Sequence, residues 1–136
     1  CTCMDKWKFI PVRISKGKTV SGWELDLEAL EDDSCLNVPM TEHHTSAGLK
    51  LGMKNVMGAI GVYRGKIHFS IDQRIADLNT VLKPRVTIID ATRILLRNGP
   101  QGGDVRDVKV LNTLIASTDT VATDAYASSL FQVKPE

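Results

Sequence analysis

Two adjacent histidines, His43 and His44, follow Pro39 closely. A neutral imidazole ligates metals and moves protons near neutral pH. Neighbours in an extended chain point opposite ways, so one of the pair faces a given site. His44 is the candidate, since it lies nearer the start of the next expected helix; a solvated or hydrogen-bonded loop histidine is the alternative. Lys54 and Asn55 fall inside that expected helix. A lysine there offsets a carboxylate or phosphate, and an asparagine both donates and accepts. The bland reading is a solvent-facing lysine and a packing asparagine. Asp90 closes the apolar run Val86–Ile89. A carboxylate at a strand end ligates a cation, orients a histidine or acts as a base, or else caps Thr92 and Arg93 in a turn.

Three further residues belong to this set. Gly102 sits in Asn98-Gly99-Pro100-Gln101-Gly102-Gly103-Asp104. That segment is neither a Walker loop nor G-x-G-x-x-G, yet its backbone donors suit an anion; a plain loop is the competing reading. Asp119 has the position of a helix N-cap. Asp124 lies one and a half turns further on, where capping does not account for it, and Arg93 or Arg97 are candidate partners. The proton-handling candidates are therefore His44 and Asp90, and the ligand-binding candidates Lys54, Asn55, Gly102, Asp119 and Asp124. No Ser-His-Asp order, nucleophile elbow, H-x-x-x-H or C-x-x-C spacing occurs.

The elements that must position these residues follow from periodicity. Trp7–Ile14 alternates, as do Trp23, Leu25 and Leu27, with Ser15–Lys18 between, which predicts an N-terminal β-hairpin. Cys35–Val38 reads as a short buried strand ended by Pro39. Residues 47–58 fit a helix carrying Leu49, Met53, Val56 and Met57 on one face. Ile71, Ile75, Leu78 and Leu82 mark a helix over 71–82, with Ser70 and Gln73 at capping-box spacing. Val86–Asp90 and Leu111–Ala116 read as strands, and Thr118-Asp119 as the start of a last helix. The class is α/β or α+β: a mixed sheet with helices packed on it. If parallel, the sheet gathers its strand ends on one edge, where ligands bind.

At 136 residues the chain is long enough for a single domain with a real core. A net charge of +1 argues against a nucleic-acid scaffold. No apolar run approaches the roughly 18 residues of a membrane span, so no membrane partner is expected. Cys1, Cys3 and Cys35 make an odd count, which suits a reducing, cytoplasmic setting better than a disulfide framework. The chain has no initiator methionine, so an upstream leader or domain is expected to be missing. Lys6, Lys8, Arg13, Lys16 and Lys18 form a basic segment, and Glu24 to Glu42 an acidic one. Opposed solvated faces are the simple reading, a docking surface the other.

The blocks NVPMTEHHTSAGLKLGMKNVMG, DQRIADLN, TIIDATRILLRNGPQGG and TLIASTDTVATDAYA resemble the family called domain of unknown function 362, over roughly residues 35–133. Pro39, His44, Lys54-Asn55, Asp90, Gly99-Pro100, Gly102, Asp119 and Asp124 match its pattern. Glu42 stands where lysine is common, and Thr120 where proline is. The resemblance covers the C-terminal part of that family's domain and implies an α/β domain; residues 1–136 are read as a single domain within a longer family domain, with 1–34 as hairpin and acidic segment and 35–136 as the α/β part. The resemblance also implies a link to redox or anaerobic metabolism, with a redox partner or upstream domain. Some members carry iron–sulfur segments, but this chain lacks a ferredoxin cysteine run, so a cluster held by this chain alone is not expected.

These readings lead to three expectations. The first is a small-molecule or anion site in a strand-end cleft. The second is a metal site built by His44 with Asp90 or Asp119. The third is an assembly module that uses the charged hairpin.

Overall fold

In chain order the elements are β1 (Phe9–Arg13), β2 (Gly22–Asp26), α1 (Leu27–Glu31), β3 (Leu36–Asn37), β4 (Met40–His44), β5 (Gly48–Lys50), α2 (Gly52–Asn55), α3 (Ile71–Asn79), β6 (Val86–Leu95), β7 (Val108–Ser117) and α4 (Thr120–Ser129). The structure, a computed structural model, describes residues 8–31, 34–102 and 104–132. Cys1, Cys3, Lys6, Trp7, Asp32, Asp33 and Gly103 therefore lie outside the described residues. Contacts divide the chain into two units, one of residues 1–35 and 56–83 and one of residues 36–55 and 84–136.

The first, the hairpin unit, pairs β1 with β2 in antiparallel register, Val12 opposite Trp23. The expected alternation holds as far as Leu25: Ile14 and Leu25 are buried with Ile60, Ile67 and Leu78 in one core. Fully burying each such side chain contributes about 1.5–3 kcal/mol. Asp26, expected outward, is buried, and Leu27 opens α1 instead of extending β2. Ser70 does not cap α3 as its spacing suggests. It adopts a left-handed backbone and makes no side-chain cap bond. Gln73 instead donates to Asp77 Oδ1 at 2.8 Å.

Asp77 is the polar centre of this unit, and it is 1% exposed. Its Oδ2 accepts from the amides of Thr19 and Val20 and from the Thr19 hydroxyl, and its Oδ1 from the Lys18 amide. One helix carboxylate thus takes three successive amides of the hairpin loop. Burial pushes the carboxyl up, but the donors of Lys18, Thr19 and Gln73 outweigh it and hold it far below the usual carboxylate range. The basic and acidic segments also meet within the unit, Lys8 Nζ lying 2.5 Å from Glu28 Oε1.

The second, the sheet unit, is a mixed sheet centred on β6. β3 and β4 run parallel to β6 along one side, and β7 runs antiparallel along the other. β5 pairs antiparallel with β4. The helix expected over 47–58 is thereby corrected. Its first part is the β4–β5 hairpin, α2 is one turn long, and residues 56–59 form a 3-10 turn. Cross-strand pairing of Glu42 with Lys50 and of His43 with Leu49 wins over helical spacing. Leu51, Ile89, Ala91, Ile94 and Ala127 form the core of this unit. β3 reverses its expected burial: Asn37 is inside, while Leu36 and Val38 are each 59% exposed.

Candidate functional site

The candidate residues spread along the length of β6 instead of meeting. Met40 pairs with Asp90 in parallel register, so His44 lies about 13 Å further along the sheet at roughly 3.3 Å per residue. His44 and Asp90 do not meet. Thr87 pairs with Ser117, which puts Asp119 beside the start of β6, whereas His44 lies past its end. The metal arrangement of His44 with Asp90 or Asp119 is thus not assembled. Among the described residues no three His, Cys, Asp or Glu side chains gather into a group that would hold a metal. The convergence expected from a parallel sheet fails because β7 is antiparallel, so its carboxyl end lies at the opposite edge.

Each candidate has a local setting. His44 closes β4, and its Nδ1 lies 3.2 Å from Ser46 Oγ. His43 carries a buried Nδ1 with no hydrogen-bond partner among the described residues. Asp90 does not end its strand, which continues to Leu95. Its Oδ1 accepts from the amide and hydroxyl of Thr92, and these bonds hold its carboxyl below the usual range. Asp119 is the N-cap of α4, accepting from the Ala122 amide at 3.0 Å.

Asp124 pairs with neither Arg93 nor Arg97; Arg97 instead meets Asp107 at 3.1 Å. Asp124 accepts from the amides of Gly52 and Met53 at 2.7 and 2.8 Å, fastening the start of α2 to α4. Burial raises its carboxyl, and the two amides offset this only in part. Asn55 completes the clamp by donating to Asn37 Oδ1, and Asn37 donates to the Gly52 carbonyl. A Cβ on Gly52 would sit 2.7 Å from Thr87 Cγ2 and 2.8 Å from Asp124 Oδ1, so only glycine fits. Asp124→Ala strands two amides and is expected to destabilise the sheet unit by about 1–3 kcal/mol, with Asp124→Asn costing less, as measured by urea unfolding followed by far-UV circular dichroism.

A groove of about 680 Å³ lies at the carboxyl end of β6. Met40, Ile94, Leu95, Val105, Val108 and Val110 supply its apolar walls, and Thr41, Glu42, Arg93, Gly102 and Asp104 its polar points. Two irregularities shape it. β6 shifts register against β4 between Met40 and Glu42, and against β7 between Ala91 and Arg93. Asn112 takes a left-handed φ of 50° in that stretch of β7. Such bulges re-aim side chains next to binding sites, and here Arg93 is carried into the groove lining.

The charges of this groove are unequal. Asp104 is paired with Arg106, which holds its carboxyl below the usual range. Glu42 is paired with Lys50 at 2.9 Å. Arg93 is exposed and forms no ion pair among the described residues. Burial lowers the Lys54 ammonium, Lys50 lowers it further, and Glu42 works the other way. Lys50 forms the ion pair with Glu42, and Lys54 feels the charge of both. Sequence reasoning missed Arg93 as a groove residue and noted Glu42 only as standing where lysine is common. The alternation of β6 breaks at its bulge, so no spacing signal marks Arg93.

The sequence model of the family described as domain of unknown function 362 matches residues 2–129. The chain belongs to this family. The domain of unknown function 362 therefore includes the hairpin, which the resemblance over 35–133 had left out. A thylakoid-associated protein of Synechocystis is 26% identical over 119 residues, which are 82% of this chain and 36% of that protein. The chain thus spans about a third of that relative's length. No solved structure matches. Among the described residues no helix is long and apolar enough to cross a membrane.

Proposed function

We propose that the sheet unit binds a small amphipathic anion, an apolar body with one carboxylate or phosphate, in the groove at the end of β6. The carrying observation is Arg93, an exposed guanidinium that lines the groove and forms no ion pair among the described residues, while the carboxylates of the lining, Glu42 and Asp104, are already paired. Ligand sites are concave, mostly apolar and of about 300–1,000 Å³, with a few polar groups that fix orientation. A guanidinium fork recognises carboxylate and phosphate in two-point fashion. Lys50 neutralises Glu42, so that carboxylate opposes an incoming anion less. Gly102 contributes shape only, since its amide is bonded to the Asn98 carbonyl.

The lining pairs no nucleophile with a base, so the reading is binding and not turnover. The redox link implied by the family enters as context for the ligand and not as chemistry of this groove. Isothermal titration with medium-chain carboxylates and their phosphate-ester counterparts tests it. Arg93→Ala is expected to weaken binding at least about tenfold, with Arg93→Lys between, because a charge-assisted bond contributes roughly 1.5–3 kcal/mol. Asp119→Asn is expected to leave affinity unchanged. Equal affinity in Arg93→Ala and the unmodified protein would remove the proposal.

A further inference from the structure

Residues 62–69 of the hairpin unit, Val-Tyr-Arg-Gly-Lys-Ile-His-Phe, hold three cationic or titratable bases and no acid. Residues 64–68 form a 3-10 helix. Tyr63, Lys66 and Phe69 make up a short exposed stripe, spaced three residues apart, with Lys66 inside the helix and Tyr63 and Phe69 at its caps in left-handed and extended backbone. The backbone follows this period: the Lys66 amide bonds to the Tyr63 carbonyl and the Phe69 amide to the Lys66 carbonyl. The Lys66 ammonium lies 4.5 Å from the centre of the Tyr63 ring. Ile67, off the stripe, is fully buried and fixes which side faces outward. Tyr63 is 70% exposed and Phe69 72%, with Val62 also exposed. Arg64 and Arg74 bond backbone carbonyls of Ile60 and Lys66, which stiffens the segment and leaves their charges on the same short stretch.

We propose that this stripe is an interfacial docking site for an anionic lipid surface. Aromatic rings settle at the headgroup level of a bilayer, and neighbouring lysine and arginine are drawn to anionic lipids. Lys66 lays its ammonium over one face of the Tyr63 ring, so charge and ring share the same exposed stretch. The absence of a membrane-spanning run, from which no membrane partner was expected, does not bear on such a peripheral patch. A single-stranded nucleic acid fits less well. One face of Tyr63 is already covered by Lys66, and base stacking needs open ring faces in succession.

Sedimentation of the whole chain with vesicles tests the proposal, using phosphatidylcholine alone and phosphatidylcholine mixed with phosphatidylglycerol. Binding is expected to the anionic vesicles, weakening as salt is raised. Tyr63→Ser with Phe69→Ser is expected to reduce it at least about tenfold, since membrane affinity scales with buried apolar area. Both rings are exposed, so the double variant keeps the circular dichroism and unfolding midpoint of the parent. No binding at low salt, equal binding to both vesicles, undiminished binding by the double variant, or displacement from vesicles by a single-stranded oligonucleotide would each overturn it.

Discussion

Asp77→Ala is expected to destabilise the hairpin unit by about 3–5 kcal/mol, the range for removing one partner of a buried charged network. Oδ1 and Oδ2 together serve the amides of Lys18, Thr19 and Val20, the Thr19 hydroxyl and Gln73. Alanine leaves the Val20 amide in particular buried without an acceptor. Asp77→Asn is milder, at about 2–3 kcal/mol. Its amide oxygen still serves Thr19 and Val20 if its nitrogen faces Lys18 and Gln73, and Gln73 can turn its own carbonyl to that nitrogen. The Lys18 amide alone is then stranded. Trp23 belongs to this unit, so its fluorescence during urea unfolding reads the unit. Asp77→Glu gives a further comparison, because the extra methylene must displace a network that is 1% exposed. Stability equal to the parent in Asp77→Ala would show that the loop does not need its anion.

The same carboxylate sets an acid limit. Its folded value is depressed, so its contribution is fully present above the unfolded value of about 4 and is lost as pH falls toward the folded one. The unmodified hairpin unit should therefore lose stability progressively below about pH 4, and Asp77→Ala should lose much less over that window. Asp124 has the opposite sign. Its folded value is raised, so the stability it contributes falls as pH rises from the unfolded value through the folded one. Acid titrations followed by tryptophan fluorescence for the first unit, and by circular dichroism for Asp124 variants of the second, separate the two groups.

What the sequence made legible was local. Alternation located β1 and β2, because a half-solvated hairpin must alternate, and the Asp119 N-cap followed from its place before an apolar helix. Three features were not legible, each because its cause is distant in the chain. Asp77 carries no signal of its own within the expected helix, because the amides that give it a role come from the hairpin loop nearly sixty residues earlier. Asn37 sits in an apolar run, but Gly52, Asn55 and Thr87 give it partners that make burial favourable. Arg93 depends on two register shifts that no periodicity encodes. The double histidine drew attention by composition, yet the strand that holds it is set by pairing with β5, and its neighbour Glu42 is the residue that reaches the groove. Residue type proposed chemistry, while long-range pairing decided which side chains share a surface.

Gly99→Ala should damage the sheet unit most. A Cβ at this position would lie 1.9 Å from the His43 carbonyl oxygen and 2.9 Å from its carbon, both backbone atoms that cannot swing aside. The loop is pressed against β4 there, and Thr45 Oγ1 donates to the Gly99 carbonyl at 2.9 Å. To admit the methyl group, the loop must lift from β4, breaking that bond and shifting Gly102 at the groove. The expected cost is about 2–4 kcal/mol, typical of an overpacked position where the backbone must move. Gly102→Ala separates space from conformation. Its Cβ would meet only Leu95, at 3.6 Å, but its φ of +64° disfavours a side chain, so about 1 kcal/mol is expected. Urea unfolding followed by far-UV circular dichroism ranks the two. Gly99→Ala should also weaken any ligand that depends on Arg93, because the loop it displaces supplies Gly102 and Asp104 to the groove lining. A Gly99→Ala protein as stable as Gly102→Ala would mean that the loop can leave β4 freely, and the groove would then have no fixed wall on that side.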